Sequence, residues 1–263
     1  MKNFLYLLLV IACIVILGLS HFAYENKLDK IAKEAYDQYI ANQEGENSNT
    51  NSDEVNSNSK ETEPSSGLLG KLFDEINNDS PLKIVYFGSE SIYSSDFTRS
   101  TWPELLTIQL SELVGEHLVE SKIISTGDRS NVEVANEAFV TDVIESEPNL
   151  LLFEPFIRSD NGRVAIEDSL DYLTIYLNQI EEALPDTTVV LMPSNPIYNP
   201  QLYMTQITEL KDFAEVNQYL YADHWQAWPD IRSEEIQDYY AGKYTNEQGH
   251  KVWAEFMYDY LTK

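Results

Sequence analysis

Lys83-Ile84-Val85-Tyr86-Phe87-Gly88-Ser89-Glu90-Ser91 is the stretch on which the fold of this chain turns. Residues with strand propensity run into a tight Gly-Ser-Glu-Ser turn, and Thr101-Trp102-Pro103-Glu104 then opens a helix. In an open parallel α/β sheet, ligands sit just beyond the carboxyl ends of the strands. A serine on the turn leaving the first strand therefore stands where a nucleophile would be placed.

Outward from that turn, strand and helix signals alternate. Strands are predicted at 83–87, 122–125, 150–154, 188–192 and 219–222, with helical patterns at 101–114, 132–146, 166–184 and 201–216. A last helix, 246–261, gathers Val252, Trp253, Phe256, Met257, Tyr260 and Leu261 on one face. Thr101 with Glu104, and Thr245 with Gln248, have capping-box spacing. Such alternation implies βαβ units: an α/β three-layer sandwich, with a five-stranded parallel sheet covered on both faces.

Before this domain (80–263) the chain changes character. Phe4 to Leu19 is continuously apolar behind Lys2, and counting through Ala23 reaches the about 17–25 residues of a spanning helix. Residues 1–24 are read as an uncleaved membrane anchor, with a cleaved signal or a lipoprotein signal at Cys13 as alternatives. Lys2 favours a single-pass cell-membrane protein whose C-terminal domain is extracellular. Residues 25–42 have the periodicity of a juxtamembrane helix. Residues 43–79, acidic and rich in Asn and Ser, read as a disordered linker, because they have too little apolar surface to offset ordering entropy.

With 44 acidic residues against 17 basic, the net charge is −27, a surface that repels phosphate backbones and argues against nucleic acid as a partner. Cys13, the single cysteine, lies in the apolar run, so the folded part holds no disulfide and no Cys-based metal site. Four histidines (His21, His117, His224, His250) make a His-rich metal site improbable.

The ends of the five strands supply Gly88-Ser89-Glu90-Ser91, Ser125-Thr126-Gly127-Asp128, Glu154-Pro155-Phe156, Pro193-Ser194-Asn195-Pro196 and Asp223-His224-Trp225. From Pro81 to Lys263 this pattern resembles the SGNH, or GDSL, hydrolase family, which implies a flavodoxin-like SGNH fold, a serine acyl-enzyme, an oxyanion hole and no cofactor. Two registers place the family's Gly-Asp-Ser turn here. One makes Ser91 the nucleophile, with Glu90 replacing aspartate. The other runs through Gly88, with Ser89 at the aspartate and Glu90 at the serine. The resemblance makes the Gly127 N–H an oxyanion donor. Where the family has Gly-x-Asn-Asp the chain has Glu154-Pro155-Phe156-Ile157, leaving Asn161 as a substitute amide only if its loop folds back.

The last block departs most. Against the family's Asp-x-x-His, the stretch Ala241-Gly242-Lys243-Tyr244-Thr245-Asn246 puts Tyr244 at the histidine and Ala241 at the aspartate. A serine hydroxyl is a poor nucleophile without a base in reach, and a phenol of pKa about 10 is a weak one. His224, beside Asp223, and His250 are the candidate replacements. Tyr198, Tyr203, Trp225, Trp228, Tyr239, Tyr240 and Tyr244 serve either as core or as a sugar platform.

Two functions follow from the resemblance taken with the anchor and tether, which suggest the placement and the substrate class. One is a membrane-tethered esterase or O-deacetylase acting on acylated glycans or cell-envelope polymers. The other is a catalytically impaired SGNH-fold module that binds a glycan or protein. A flavin or nucleotide binder comes third, since the first turn lacks a Gly-rich phosphate fingerprint.

Overall fold

The computed structural model describes residues 67–76, 80–93 and 100–263. The anchor, the juxtamembrane helix and most of the linker fall outside the described residues. Among the described residues no helix is long and apolar enough to cross a membrane.

The five predicted strands form one parallel sheet: β1 (Leu82–Gly88), β2 (Val119–Ser125), β3 (Leu150–Phe153), β4 (Thr188–Leu191) and β5 (Leu220–Tyr221), in the order β2-β1-β3-β4-β5. Strands covered on both faces need continuous apolar sequence, and β3 is Leu-Leu-Leu-Phe, buried throughout. The edge strand β2, Val-Glu-Ser-Lys-Ile-Ile-Ser, is mostly exposed in its first half.

Side chains alternate across the sheet. Ile84 and Tyr86 join Leu106, Leu110, Trp253 and Met257 in the core layer under α2 (Trp102–Val114) and α8 (Glu247–Thr262). Trp102 stacks on Trp253 with ring centroids 4.8 Å apart. In the layer that holds Phe87, that ring stacks on Phe153 at 4.7 Å and meets Phe156 edge-on at 5.1 Å. Phe156 in turn meets Tyr176 of α6 (Ile166–Ala183), and α7 (Gln201–Val216) buries Tyr203, Ile207 and Leu210.

Three local expectations need correction. The linker ends earlier than residue 79, because Leu68–Glu75 is a helix, α1, with Leu69 and Leu72 in the core. A Cβ on Gly67 would lie 2.7 Å from the Leu261 carbonyl oxygen, so the chain is already packed on α8 at that residue. The pattern at 132–146 is two helices, α3 (Asn131–Val134) and α4 (Phe139–Glu145). Asn136 between them turns its side-chain amide onto the Val132 carbonyl at 2.7 Å, a local bond that competes with helix continuation. Thr101 and Glu104 form the expected capping contact, Thr101 N–H donating to Glu104 Oε2 at 2.7 Å. At α8 the cap is Asn246, whose Oδ1 accepts from the N–H of Gln248 and Gly249 at 2.9 and 3.1 Å. Thr245 is displaced from that role, and its hydroxyl is buried without a partner.

Candidate functional site

Strand order reverses between β1 and β3, and the crevice of such a sheet opens above their carboxyl ends. Gly88 ends β1 where no side chain fits: a Cβ there would lie 2.9 Å from Glu154 Oε2 and 3.0 Å from Ile92 Cγ2. That clearance lets the Glu154 carboxyl enter the first turn. Its Oε2 accepts from the Ser89 N–H at 2.7 Å and from the Ser91 hydroxyl at 2.9 Å, and its Oε1 accepts from the Ser194 hydroxyl. Ser89 Oγ and Ser91 Oγ lie 2.9 Å apart. None of these four residues is more than 3% exposed. Burial pushes the Glu154 carboxyl above the usual carboxylate range, opposed by hydrogen bonds from Ser194, Ser89 and Ser91.

Ser91 is therefore not a hydroxyl projecting from the rim. It sits in a short 3-10 turn (Glu90–Ile92) with its donor spent on a buried acid, which corrects the expectation of a presented nucleophile. Glu90 is the side chain of that turn that reaches outward, and it is 24% exposed. The register through Gly88 is the one that matches this orientation.

Gly127 does lie against the first turn, with φ at +68°, a conformation that favours glycine. It offers the turn its carbonyl rather than its amide: Glu90 N–H donates to Gly127 O at 2.7 Å. The Gly127 N–H donates to Ser125 Oγ at 3.2 Å, and Ser125 Oγ donates to Ser89 O at 3.0 Å. This amide is already used, so its expected oxyanion role has no support in the geometry. At the third strand end, Phe156 occupies the family's Asn position and is fully buried. Asn161 ends α5 (Ile157–Asp160). Its neighbour Asp160 is turned into the core against the backbone N–H and side chain of Asn131, at 2.9 and 2.6 Å. Among the described residues, no hydrogen bond joins Asn161 to the first turn.

Neither histidine meets Ser91. His224 is fully buried, stacked on Trp253 at 3.9 Å; its Nδ1 accepts from Trp228 Nε1–H at 3.0 Å. That assigns the proton to Nε2, which donates to Pro193 O at 2.8 Å. Burial pushes its pKa down to about 3, so it stays neutral with both ring nitrogens occupied. Asp223 points elsewhere and accepts from Lys211 Nζ at 3.2 Å. His250 is 5% exposed; its Nδ1 accepts from the Trp102 N–H, at the start of α2, at 3.4 Å, and burial lowers its pKa to about 4. The expected general-base roles of both are thus replaced by structural ones.

Beyond these buried groups, the rim is charged. The hairpin of β6 (Tyr240–Ala241) and β7 (Tyr244–Thr245) brings Lys243 Nζ within 3.1 Å of Glu90 Oε1 and 4.9 Å from the centre of the exposed Tyr244 ring. Tyr244 stands at the position the resemblance gives to histidine, and its ring takes this cation contact. Beside it opens a cleft of about 400 Å³ lined by Arg158, Ile197, Tyr198, Gln237, Tyr240, Gly242 and Lys243. Arg158 donates through Nη1 to Asn195 Oδ1 at 2.9 Å and through Nη2 to Lys243 O.

Sequence reading did not single out Arg158, Lys243, Glu154 or Asn195, which the structure places at or beneath this rim. The one available signal was that Glu154 puts a charged group at the glycine position of the family's third motif. Among the described residues no cluster of His, Cys, Asp and Glu is arranged to hold a metal ion.

The fold is that of the SGNH, or GDSL, hydrolases. A putative lipolytic protein of the G-D-S-L family from Desulfitobacterium hafniense is similar with TM-score 0.57 at 17% identity, covering 68% of this chain and 99% of that one. An acetyl-xylooligosaccharide esterase from Geobacillus gives TM-score 0.52 at 14% identity over 69% of this chain and 94% of its own. The psychrotrophic esterase EstA from Pseudoalteromonas gives 0.51 at 15% over 68% and 95%. No family model and no curated protein matches the chain.

Proposed function

We propose that this protein is a non-hydrolysing SGNH-fold binding module, held at the outer face of a cell membrane by its N-terminal segment and engaging a cell-envelope glycan or polymer. The observation that carries the reading is the Glu90–Lys243 ion pair at 3.1 Å, on the turn and hairpin where the family's resemblance would put serine and histidine. A carboxylate paired to an ammonium offers no activated hydroxyl, and the nearest serines are tied to Glu154 beneath it. The extracellular placement and the tether rest on the apolar run Phe4–Leu19 and the polar segment behind it.

One contact favours a second reading, an esterase or O-deacetylase of acylated envelope glycans. Ser91 donates to a carboxylate oxygen at 2.9 Å, and an acid with a raised pKa is a stronger base once ionised. Fluorophosphonate labelling and p-nitrophenyl acetate turnover of the full-length chain, beside Ser91→Ala, separate the two readings. The binding reading expects equal, background signal from both proteins. Labelling that disappears with Ser91→Ala would overturn it in favour of the esterase.

A further inference from the structure

Most cations on the described surface are neutralised locally. Arg129, Arg163, Lys211, Lys243 and Lys251 each pair with a carboxylate at 2.6–3.2 Å. Arg158 differs: its hydrogen-bond partners are the Asn195 amide oxygen and the Lys243 carbonyl, both neutral. Asn195 is itself fully buried and tied through its Nδ2–H to Pro196 O at 3.0 Å. A buried amide and a main-chain carbonyl therefore hold the guanidinium in place without cancelling its charge, with further N–H donors of the fork left over.

The surroundings suit a sugar that carries an anion. Tyr198, 42% exposed, and Tyr240 present rings to the same cleft, and Gln237 adds an amide. Flat rings bury sugar faces, and a preset guanidinium pairs with a carboxylate or phosphate through two parallel bonds. The net charge of −27 sharpens the point, since such a surface repels anions in general. Binding an anion against that background calls for a local cationic group, which Arg158 supplies.

We propose that the Arg158 cleft is the binding site for an anionic saccharide, in which Arg158 takes a carboxylate or phosphate group and Tyr198 and Tyr240 take the sugar. The assignment rests on the binding-module reading and names the ligand class of that same rim.

Calorimetric titration of the full-length protein with oligogalacturonate, its methyl-esterified form and a phosphomannan oligosaccharide tests it. At least one charged oligomer is expected to bind, about tenfold or more tighter than the methyl ester, because the charged bond is lost in the ester. The tighter of the two charged oligomers tells whether carboxylate or phosphate is the recognised group. Arg158→Gln should bring that affinity down to the level of the ester. Tyr198→Ala, a change at an exposed ring that leaves the core intact, should weaken the bound oligomer several-fold and gives a second readout if Arg158→Gln melts early.

Equal affinity for the acid and its ester, unchanged by Arg158→Gln, would overturn the anion assignment while leaving a glycan-binding module. Failure of both charged oligomers to bind, or binding unaffected by Tyr198→Ala and Arg158→Gln alike, would overturn it as well. Ser91-dependent fluorophosphonate labelling would instead sink the underlying binding reading, so the two failures are told apart.

Discussion

Two regions of the same sheet edge handle polar side chains in opposite ways. Below the rim, Ser89, Ser91 and Ser194 converge on Glu154, and all four are buried. At the rim, Lys243 and Arg158 line an open cleft, Lys243 paired with the partly exposed Glu90 and Arg158 with neutral acceptors. The first arrangement satisfies buried groups and so contributes to the fold. The second keeps charge where a ligand can reach it. The presence of a serine on the first turn is therefore a weak guide to chemistry; the direction of its hydroxyl decides.

The largest effect that could break this contrast is expected in the buried half, as acid is added. His224 and His250 have folded pKa values pushed down to about 3 and about 4, below the 6.5 of the free side chain. As pH falls below 6.5 the unfolded chain takes up protons that the folded one refuses. Each histidine should then remove about 1.4 kcal/mol per pH unit until its folded pKa is reached. Urea unfolding between pH 7 and pH 4 should show this loss, and His250→Gln should make the slope shallower. A profile flat over that range would mean the rings are not held neutral inside.

Removing the acceptor at the centre of the buried cluster comes next. Glu154→Ala leaves the Ser89 N–H and two hydroxyls without their carboxylate, at a cost of about 2–4 kcal/mol in unfolding free energy. Glu154→Gln should cost far less near neutral pH. Because the folded pKa is raised, the wild type loses stability as pH rises above the 4.5 of the free acid. The Gln variant lacks that dependence and should gain on the wild type with rising pH. If Glu154→Gln destabilises more at pH 7 than at pH 5, the acid is ionised in the fold.

At the rim the expected effect is smallest. Glu90 and Lys243 are 24% and 56% exposed, and a pair this open is screened by solvent. A double-mutant cycle of Glu90→Gln and Lys243→Met should give a coupling below about 1 kcal/mol, falling further with added salt. A coupling as large as that of a buried pair would erase the distinction between the two regions.

The fold was legible because parallel strands covered on both faces must be nearly continuous in apolar residues, as Ile84 to Phe87 and Leu150 to Phe153 are. Helix starts were readable where a side chain answers an orphan amide close in sequence, as Glu104 does for Thr101. They failed by one residue where two neighbours, Thr245 and Asn246, could both cap. The early end of the linker was hidden because Leu69 and Leu72 gain their burial from α8, nearly two hundred residues on.

From the sequence alone, then, came the alternation of strands and helices, the parallel sheet, the acidic surface and the missing histidine at Tyr244, all properties of local pattern and composition. The tertiary structure decided which hydroxyl faces inward, which histidines are walled in by Trp228, Trp253 and Trp102, and that Arg158 and Lys243 share one cleft. Those outcomes depend on contacts between residues far apart in the chain. Spacing along the sequence carries information about neighbours on the same strand or helix, and very little about what the next element will place opposite them.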